Sequence, residues 1–455
     1  MTEGGLGTVP NTRIMMLVPH DPDDDPRVSW VIDLCTAQRP TEVYASTWST
    51  NKVARTYAGR LYVERVNINE QASAAARLIA LLLNGLVVLG PTVRYIAREG
   101  QSPVRRTATG YLDSLRSRLS WILGMIDHQV GAAFRFVSAL AYYNLIVSTL
   151  YQRARAASLR PALVVCHDIF ALVSAVMLKQ IWNCRVLYDS HEFWGDADMI
   201  AQTWEKRFAT WFERRWIRKA DVVITVSPPL ARHLEKVYGI RNVISCPNAE
   251  PLPARSAART ADVQLPLKFL LQGQAGPRRG IDSALDAWDQ VDAKNAVLFV
   301  RCPENAYVTK LREAHRVAIQ RGSIVFLDAV TEKQLVDAAA FADLGIIPYA
   351  PTSLSHTFAC PNKLSQYMQA GLAILSSRLE YITKVLNEYD CGVTYDATDP
   401  QSLLAAITYL CSNLDKVAAM RANALKAAQD DFNWSVQSRH YANAIASLAG
   451  GAVGA

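Results

Sequence analysis

The chain has 455 residues, of which half are hydrophobic and a fifth are charged. This composition excludes a disordered or fibrous protein, and the length predicts two domains with separate cores. The net charge of +7 favours an anionic partner such as a nucleotide phosphate, a nucleic acid or an anionic lipid, without deciding among them.

The sequence predicts a cytoplasmic protein. Its eight cysteines form no CxxC pair, and several lie in apolar runs, which is typical of reduced thiols. The N-terminus lacks the charged and then apolar pattern of a signal peptide. The longest strongly apolar run, Leu78 to Gly90, is shorter than the roughly 20 residues that a membrane-spanning helix needs.

In the first half of the chain, short β-branched runs alternate with longer helical patterns. The runs cover residues 13–19, 41–47, 162–168, 185–190, 221–227 and 242–248. Continuous apolar strands separated by helix-length segments predict a parallel sheet with helices on both faces. We therefore predict one Rossmann-like domain over residues 13–249.

An acidic run, Asp21 and Asp23 to Asp25, follows the first predicted strand. It resembles a metal-diphosphate element, but it directly precedes a predicted helix from Val28. Carboxylates at that position accept hydrogen bonds from free amide groups and interact favourably with the positive helix end. Helix capping is the favoured interpretation and metal binding the alternative.

Residues 72–160 are predicted to be a helical insertion in this domain. From Pro91 to Arg160 the insertion has ten arginines and three acids, interleaved with Trp, Phe and Tyr residues. Basic, aromatic, amphipathic helices suit an anionic membrane surface. Solvated arginines on helices that pack against the core are an equal alternative.

Two predicted strands end in a histidine and an acid: His167 with Asp168, and His191 with Glu192. The carboxyl ends of parallel strands form the edge of the sheet where ligands bind. A neutral imidazole donates one hydrogen bond and accepts another, so a binding role and a structural role both stay open. A metal site is less favoured, because no third ligand has a suitable spacing.

A helical pattern over Gln202 to Lys219 carries five aromatic residues and six basic ones; the aromatic residues are Trp204, Phe208, Trp211, Phe212 and Trp216. A stripe of aromatic residues facing the core is the favoured interpretation. Contact with a membrane or an acceptor is the alternative.

Residues 250–267 contain three prolines among small and charged residues, and are predicted to link two domains. Alternation of strands and helices then restarts, which predicts a second Rossmann-like domain over 268–432 and a C-terminal helix, 433–450, packed on the first domain. The first strand of this domain leads into the turn GQAGPRRG, whose glycines and arginines suit a phosphate at a helix end.

Taken together, these motifs resemble the GT-B fold family 4 retaining glycosyltransferases, also called glycosyltransferase group 1. The motifs that carry the resemblance are DPRVSWVIDL, VVCHD, YDSHE, ADVVITVSPPLARHLEKVYG with CPNAEP, GQAGPRRG and PNKLSQYMQAGLAILSS. The resemblance implies an α/β fold of two Rossmann-like domains facing a central cleft. It also implies that the first domain binds the acceptor and the second a nucleotide sugar.

Residue by residue, the resemblance implies three catalytic side chains. His167 looks like the histidine that reaches the donor sugar, Arg279 takes the place of a basic residue that grips the diphosphate, and Lys363 meets the same diphosphate. Further residues are expected to bind the donor: Gly273, Gln274, Arg278, Phe358, Pro361, Asn362 and Gln366. Four are expected on the acceptor side: Arg27, Asp168, His191 and Glu192.

The chain departs from the family at two positions. Many members carry two glutamates eight residues apart, the first touching the donor sugar and the second the ribose. The aligned positions here are Phe358 and Gln366, and residues 333–378 contain no glutamate. An amide hydrogen-bonds ribose hydroxyls, whereas a phenyl ring cannot replace a carboxylate.

The implied function is the transfer of a sugar, with retained configuration, to a polysaccharide or lipid-linked glycan. No metal or cofactor is expected, and the expected partners are a nucleotide sugar, a glycan or lipid-linked acceptor and an anionic membrane surface, but not nucleic acid. The enzyme is then expected at the inner face of the cell membrane. A nucleotide-sugar epimerase of the same fold and a non-catalytic protein of this fold are the alternatives.

Overall fold

The computed structural model describes residues 13–47, 55–68, 140–141, 143–157, 160–197, 203–253 and 262–450. Two largely parallel sheets with flanking helices account for most of these residues, which confirms the predicted α/β class with two Rossmann-like halves. Most of the predicted insertion, including Arg105, Arg106, Arg116 and Arg118, lies outside the described residues, and so does much of the linker.

The first sheet has eight strands in the order β3-β4-β2-β1-β5-β6-β7-β8. Their bounds are β1 Ile14–Val18, β2 Thr41–Thr47, β3 Arg55–Ala58, β4 Leu61–Asn67, β5 Leu163–His167, β6 Arg185–Ser190, β7 Val222–Thr225 and β8 Ile244–Ser245. All neighbours pair in parallel except β3, which pairs with β4 antiparallel at the edge. The helices are Pro26–Gln38, residues 143–155, Asp168–Trp182, Thr203–Ile217 and Pro228–Tyr238.

The second sheet has six parallel strands in the order β11-β10-β9-β12-β13-β14. Their bounds are β9 Leu267–Gln272, β10 Ala296–Arg301, β11 Ile324–Leu327, β12 Leu344–Ile347, β13 Ala373–Ser377 and β14 Gly392–Tyr395. The helices are Ile281–Trp288, Ala306–Ala314, Arg316–Arg321, Leu335–Ala339, Leu354–Thr357, Asn362–Gln369, Glu380–Tyr389, Pro400–Cys411, Leu414–Asp430, Trp434–Gln437 and Arg439–Gly450.

The strand orders fix where ligands bind. Each sheet reverses its direction of winding beside its first central strand, between β1 and β5 in the first sheet and between β9 and β12 in the second. Open parallel sheets bind ligands outside the carboxyl ends of the strands at such a reversal. The loops after these four strands therefore lie where a ligand is expected to bind.

The acidic run after β1 caps helices, as predicted. An Asp21 side-chain oxygen accepts a hydrogen bond from the Asp23 amide at 3.0 Å, and the Asp25 carboxylate accepts one from the Arg27 amide at 2.9 Å. Pro26 opens the helix Pro26–Gln38, where its missing amide hydrogen costs nothing.

The last two helices return to the first sheet. Tyr441 and Ile445 belong to the same buried cluster as Ile14 in β1, and the Trp30 and Trp434 rings lie 5.4 Å apart. The Trp434 amide also donates to the Glu250 carbonyl at 3.1 Å, so the chain end crosses between the two halves.

The helix Thr203–Ile217 corrects the prediction of a single aromatic stripe facing the core. Phe212 and Trp216 pack against the core, but Trp211 is 60% exposed and Trp204 is 39% exposed. The aromatic residues are divided between two faces because their spacing extends around more than one side of a helix.

Among the described helices, none has by itself both the length and the apolar character of a membrane span. One pair, Pro400–Cys411 with Leu414–Asp430, meets those criteria only when its two helices are taken together across a bend of 95°.

Candidate active site

The first half of the site is a buried pair of histidines at the ends of β5 and β6. The Nδ1 atom of His167 lies 3.0 Å from the Nε2 atom of His191. His167 is fully buried, whereas 17% of the His191 side chain is exposed. Strand pairing between β5 and β6 brings the two loops together, as the sequence predicted.

The two histidines differ in protonation state, because carboxylates act on them to different extents. Burial lowers the pKa of His167 to about 3, so it is neutral. Burial acts in the same direction on His191, but Asp168 and Asp25 nearby and hydrogen bonds to Asp189 and Asp25 raise its pKa well above the usual value. An uncharged imidazole therefore lies against a protonated one.

This difference fixes the tautomer of His167. The protonated His191 donates from Nε2, so the Nδ1 atom of His167 accepts and its hydrogen is on Nε2. The Nε2 atom is buried and has no hydrogen-bond partner among the described residues. An unsatisfied buried donor is costly, and a ligand with an acceptor oxygen would satisfy it.

Asp168 follows His167 in a left-handed conformation, with φ of 58°. Such backbone is rare for a residue with a side chain, and it is concentrated at functional sites. The Oδ2 atom of Asp168 lies 3.9 Å from His191 Nδ1, while its Oδ1 atom is buried without a hydrogen-bond partner in the described part of the chain.

A buried ion pair between Arg27 and Asp189 lies beside the two histidines. The Arg27 guanidinium donates to both oxygens of Asp189, at 2.9 Å and 2.8 Å, and both side chains are almost fully buried. Arg27 also donates to the Cys246 carbonyl at 2.8 Å and to Asn248 Oδ1 at 2.9 Å. Arg27 therefore lies behind the site as a support, and Asp189 connects it to both histidines.

The second half of the site lies at the ends of β9 and β12. Lys363 and Arg279 both lie close enough to the buried Tyr349 to act on its hydroxyl, and the Lys363 ammonium lies 4.8 Å from the centre of the tyrosine ring. Burial alone would raise the pKa of Tyr349, but these two cations lower it overall. Within the described ranges neither cation has a carboxylate partner, so together they form a site for an anion.

Two glycines let these cations approach each other. A Cβ atom on Gly280 would lie 1.8 Å from the Pro348 carbonyl oxygen, so only glycine lets the turn with Arg279 lie against the end of β12. Gly273, at the end of β9, has φ of 112°, a conformation that residues with a side chain rarely adopt, although a Cβ atom there would make only ordinary contact, 3.9 Å from Lys363 Cε. Both positions need a residue without a side chain.

Gln366 lies in a chain of polar side chains that ends in a carboxylate. Its Oε1 atom accepts from Gln272 Nε2 at 3.2 Å, and its Nε2 atom donates to Glu250 Oε1 at 2.9 Å. Burial raises the pKa of Glu250 to about 7, with the hydrogen bond from Gln366 opposing this effect and Glu332 adding to it.

An open cavity of about 390 Å³ connects the two halves. Its lining includes His191, Arg27 and Asn248 from the first half and Asn362 from the second. The Oδ1 atom of Asn362 is buried without a hydrogen-bond partner among the described residues, and Asn248 Nδ2 donates to the Cys360 carbonyl at 2.9 Å. Of the predicted site residues, Arg27, His191 and Asn362 therefore line one cavity.

Other expected site residues lie at its rim or outside it. Gln274 and Arg278 are exposed in the turn after β9, and Arg278 has φ of 67°. Pro361 is the N-cap of the helix Asn362–Gln369 and so directly precedes its first residue. The Glu192 carbonyl accepts from the Ser190 hydroxyl at 2.9 Å.

Phe358 contacts the first domain. Its ring lies 5.3 Å from that of His233, and its carbonyl accepts from the Ser227 hydroxyl at 2.6 Å. An aromatic ring packed between the domains holds them together, a role that its alignment with a sugar-binding glutamate did not suggest.

Sequence reasoning missed four residues of this site: Asp25 as a partner of His191, and Asp189, Glu250 and Tyr349. Asp189 lies inside the YDSHE motif, so its position at the end of a buried strand was a signal that could have been used. Tyr349 follows β12 in the same way. Glu250 lies in the predicted linker, where a carboxylate is expected to be solvated.

Among the residues that the structure describes, two groups of side chains have the ligand types of a metal site. The ligand atoms of His167, Asp189 and His191 lie within 4.8 Å of one another, as do those of Asp286, Asp289 and His315. In the first group, Arg27 binds both oxygens of Asp189, and the raised pKa of His191 keeps it protonated. These donors do not fit a divalent cation, because metal ligands must be deprotonated and available.

Two protein-family models match the chain. "Glycosyl transferase 4-like domain" matches residues 73–249, and "Glycosyl transferases group 1" matches residues 267–413. Together they span most of the chain, with one model on each half. No curated protein sequence matches.

Solved structures with the same architecture include sucrose-phosphate synthase from Thermosynechococcus elongatus, with a TM-score of 0.66 and 13% identity over 96% of this chain and 99% of that chain. A UDP-forming trehalose-phosphate synthase from Burkholderia vietnamiensis has a TM-score of 0.61 and 12% identity, covering 96% and 100%. Anabaena HepE, solved with UDP and glucose, has a TM-score of 0.60 and 14% identity, covering 95% and 99%. At these identities the likeness is one of fold.

Proposed function

The chain belongs to the group 1 glycosyltransferases of the GT-B fold, and we propose that it transfers a sugar from a nucleotide sugar to a polysaccharide or lipid-linked glycan. In this proposal the anomeric configuration is retained, and neither a metal ion nor a cofactor takes part. The observation that carries the proposal is the convergence of Lys363 and Arg279 on the buried Tyr349.

The two cations are suited to a diphosphate leaving group. As the bond between the sugar and the phosphate breaks, negative charge grows on the diphosphate, and donors already in position stabilise that charge most. The ammonium of Lys363, the guanidinium of Arg279 and the free amides at the start of the helix Asn362–Gln369 supply such donors. HepE, a neighbour of similar fold, was solved with UDP and with UDP-glucose, which supports a nucleotide sugar as the donor.

The histidine pair is suited to the sugar. The Nε2 hydrogen of His167 would donate to a hydroxyl or phosphate oxygen and so orient the reacting carbon. Because the pKa of His167 is lowered to about 3, the imidazole is neutral near pH 7 and donates a hydrogen bond without adding charge. The acceptor hydroxyl then attacks from the face of the leaving group and passes its proton to the departing phosphate.

The proposal needs no metal, because Lys363 and Arg279 already supply the positive charge that a cation would bring. The donor set nearest the cleft would bind a divalent ion only after losing the Arg27 ion pair and the proton on His191. A chelating agent is therefore expected to leave the rate unchanged.

We also propose that the enzyme works at the inner face of the cell membrane, where a lipid-linked acceptor is available. The arginines of the insertion support this idea by their number and by the aromatic residues between them. Charge reversal at Arg105, Arg106, Arg116 and Arg118 is expected to release the protein from anionic vesicles.

The test is a panel of nucleotide sugars, scored for binding and for nucleoside diphosphate released only when an acceptor is present. Arg279→Ala, Lys363→Ala and His167→Ala are each expected to reduce transfer by about 100-fold or more. The exposed Arg316→Ala and Lys384→Ala are matched controls and should keep wild-type rates. The anomeric configuration of the product, read by NMR, tests retention.

Three results would contradict the proposal in different ways. Wild-type rates in all three site variants would show that the site is elsewhere. Isomerised nucleotide sugar without an acceptor would identify an epimerase. Binding of no nucleotide sugar, measured as a shift in the melting temperature, would identify a non-catalytic protein of the same fold.

A further inference from the structure

The helix Thr203–Ile217 has two chemically different sides. Toward the core it packs Phe212, Trp216 and Ile217, and the hydroxyl of the buried Tyr188 donates to Glu213 at 3.0 Å. The outward side of the helix, continued by Arg218, carries only threonine, tryptophan and arginine among its exposed residues: Thr203, Trp204, Arg207, Trp211, Arg214, Arg215 and Arg218. We call these seven residues the Trp-Arg face.

The spacing of the Trp-Arg face places its members on one side of the helix. Residues three, four and seven apart lie next to one another along an α-helix, and Trp204, Arg207, Trp211, Arg215 and Arg218 follow that spacing. No acidic residue is exposed among them. The face therefore presents large aromatic rings inside a continuous positive surface.

Two arginines of the face are fixed and two are available. Arg214 Nη2 donates to the Val237 carbonyl and Arg218 Nε to the Tyr238 carbonyl, each at 2.6 Å, at the end of the neighbouring helix. Arg207 and Arg215 have neither a hydrogen bond nor an ion pair with any described side chain. Fixed arginines make the surface rigid, while the available ones are free to bind anions.

A shallow open depression of about 310 Å³ lies on this face. Its lining consists of two threonines, one tryptophan and three cationic residues: Thr203, Lys206, Arg207, Thr210, Trp211 and Arg214. Because Lys206 forms an ion pair with Asp196 and Arg214 is fixed on the Val237 carbonyl, Arg207 is the available cation of this depression. Arginine and lysine bind phosphate oxygens, and indole rings prefer the boundary between water and the acyl chains of a bilayer. A phospholipid headgroup combines both properties.

The helix that carries the face packs against the turn Trp194–Asp196. The turn just before the helix, Trp194–Asp196, holds the second domain: Asp196 Oδ2 accepts from the Leu354 amide at 2.8 Å, and the Phe193 carbonyl accepts from the Ser355 hydroxyl at 3.0 Å. The same loop starts at His191, which lines the cleft. A surface bound to this face would therefore lie beside the acceptor half of the site.

We infer that the Trp-Arg face is a docking surface for an anionic lipid bilayer, with Trp211 inserted at the headgroup level and Arg207 and Arg215 on lipid phosphates. This inference rests on the membrane association proposed above and assigns to it a surface outside the arginine-rich insertion. Docking here would hold the cleft rim at the membrane, where a lipid-linked acceptor enters without leaving the bilayer.

The test uses the full chain and two kinds of vesicle, one of phosphatidylglycerol and phosphatidylcholine in equal parts and one of phosphatidylcholine alone. The wild-type protein should cosediment with the anionic vesicles only. Arg207→Glu/Arg215→Glu should weaken that binding by about 30-fold or more, because each basic side chain near an anionic surface contributes about fivefold. Trp211→Ala should weaken binding and remove quenching of tryptophan fluorescence by brominated lipid.

Matched controls separate this surface from general effects. Lys310→Glu/Arg316→Glu changes the net charge equally on exposed residues of the second half, and Tyr409→Ala removes an aromatic ring that is 40% exposed. Both should bind vesicles like the wild type. All variants should release nucleoside diphosphate at the wild-type rate with a water-soluble acceptor, since none of these residues lies in the cleft.

The alternative outcomes are distinct. Wild-type vesicle binding by Arg207→Glu/Arg215→Glu and Trp211→Ala would overturn this surface, and membrane association through the insertion would stand if its charge reversals release the protein. No binding by the wild type would overturn both ideas without affecting the proposed transfer reaction. Equal binding to neutral vesicles would overturn the role of charge. A dimer in solution that Trp211→Ala dissociates, with vesicle binding unchanged, would show that a second copy occupies the face.

Discussion

Asp189→Asn tests the buried ion pair on which the first half of the site rests. In the native chain the Arg27 guanidinium makes four hydrogen bonds, two of them to Asp189 and the others to Cys246 and Asn248. The substitution leaves a buried cation with no anionic partner in direct contact. Breaking such a pair costs about 3–5 kcal/mol of the free energy of unfolding.

Urea unfolding followed by tryptophan fluorescence measures this cost. The double variant Arg27→Met/Asp189→Leu, which buries no charge at either position, should lose less than the sum of the two single variants, Arg27→Met and Asp189→Leu. Glu304→Gln, which breaks the exposed pair with Arg312, should cost no more than about 1 kcal/mol. The reasoning would be refuted if the double variant lost as much free energy of unfolding as the two single variants together. It would also be refuted if Asp189→Asn lowered the free energy of unfolding by no more than Glu304→Gln does.

Two further predictions concern stability and the turn at the anion site. Burial raises the pKa of Glu213 to about 8, so the folded chain keeps a proton that the unfolded chain releases near pH 4.5, and stability should fall as pH rises between these values. Glu213→Gln should remove that slope and raise the free energy of unfolding at pH 7 by about 1–3 kcal/mol, measured by urea unfolding across pH; an unchanged slope would contradict the assignment. Gly280→Ala should lower the melting temperature and weaken nucleotide-sugar binding, because its Cβ would meet the Pro348 carbonyl and its φ is 72°. Gly276→Ala, with no atom within 4 Å of the new methyl group, should do neither, and equal effects of the two variants would contradict the packing argument.

The sequence predicted the sheets because their strands are buried on both faces and therefore appear as apolar runs. The hairpin of β3 and β4 was missed because Glu64 and Arg65 interrupt the apolar run of Leu61–Asn67, so that this strand does not appear as a continuous apolar segment. The run at 242–248 contributes only two residues to β8, since Asn242 has a positive φ of 60° and Pro247 cannot donate to a ladder.

The candidate site was predictable wherever two residues end neighbouring parallel strands. His167 and His191 are such a pair, and their 3.0 Å contact follows from the pairing of β5 with β6. The protonation difference between them was not predictable, because it depends on Asp25 and Asp168 together with burial. Tyr349 and Arg279 are 70 positions apart, and only the packing of two loops at one strand reversal brings them together.

The absence of a glutamate at position 366 does not leave the pocket without a carboxylate. Gln366 donates to Glu250, and the Glu250 carbonyl accepts from Gln369 and Trp434, so the backbone that carries this carboxylate is held by both domains. A glutamate at 366 would face Glu250 across 2.9 Å, and two carboxylates at that distance cannot both be ionised. The amide at 366 and the acid at 250 therefore form a matched pair, in which the titratable carboxyl group lies on the segment between the domains instead of on the helix. Any donor contact with this corner of the pocket then depends on how the two domains pack as well as on the second domain itself.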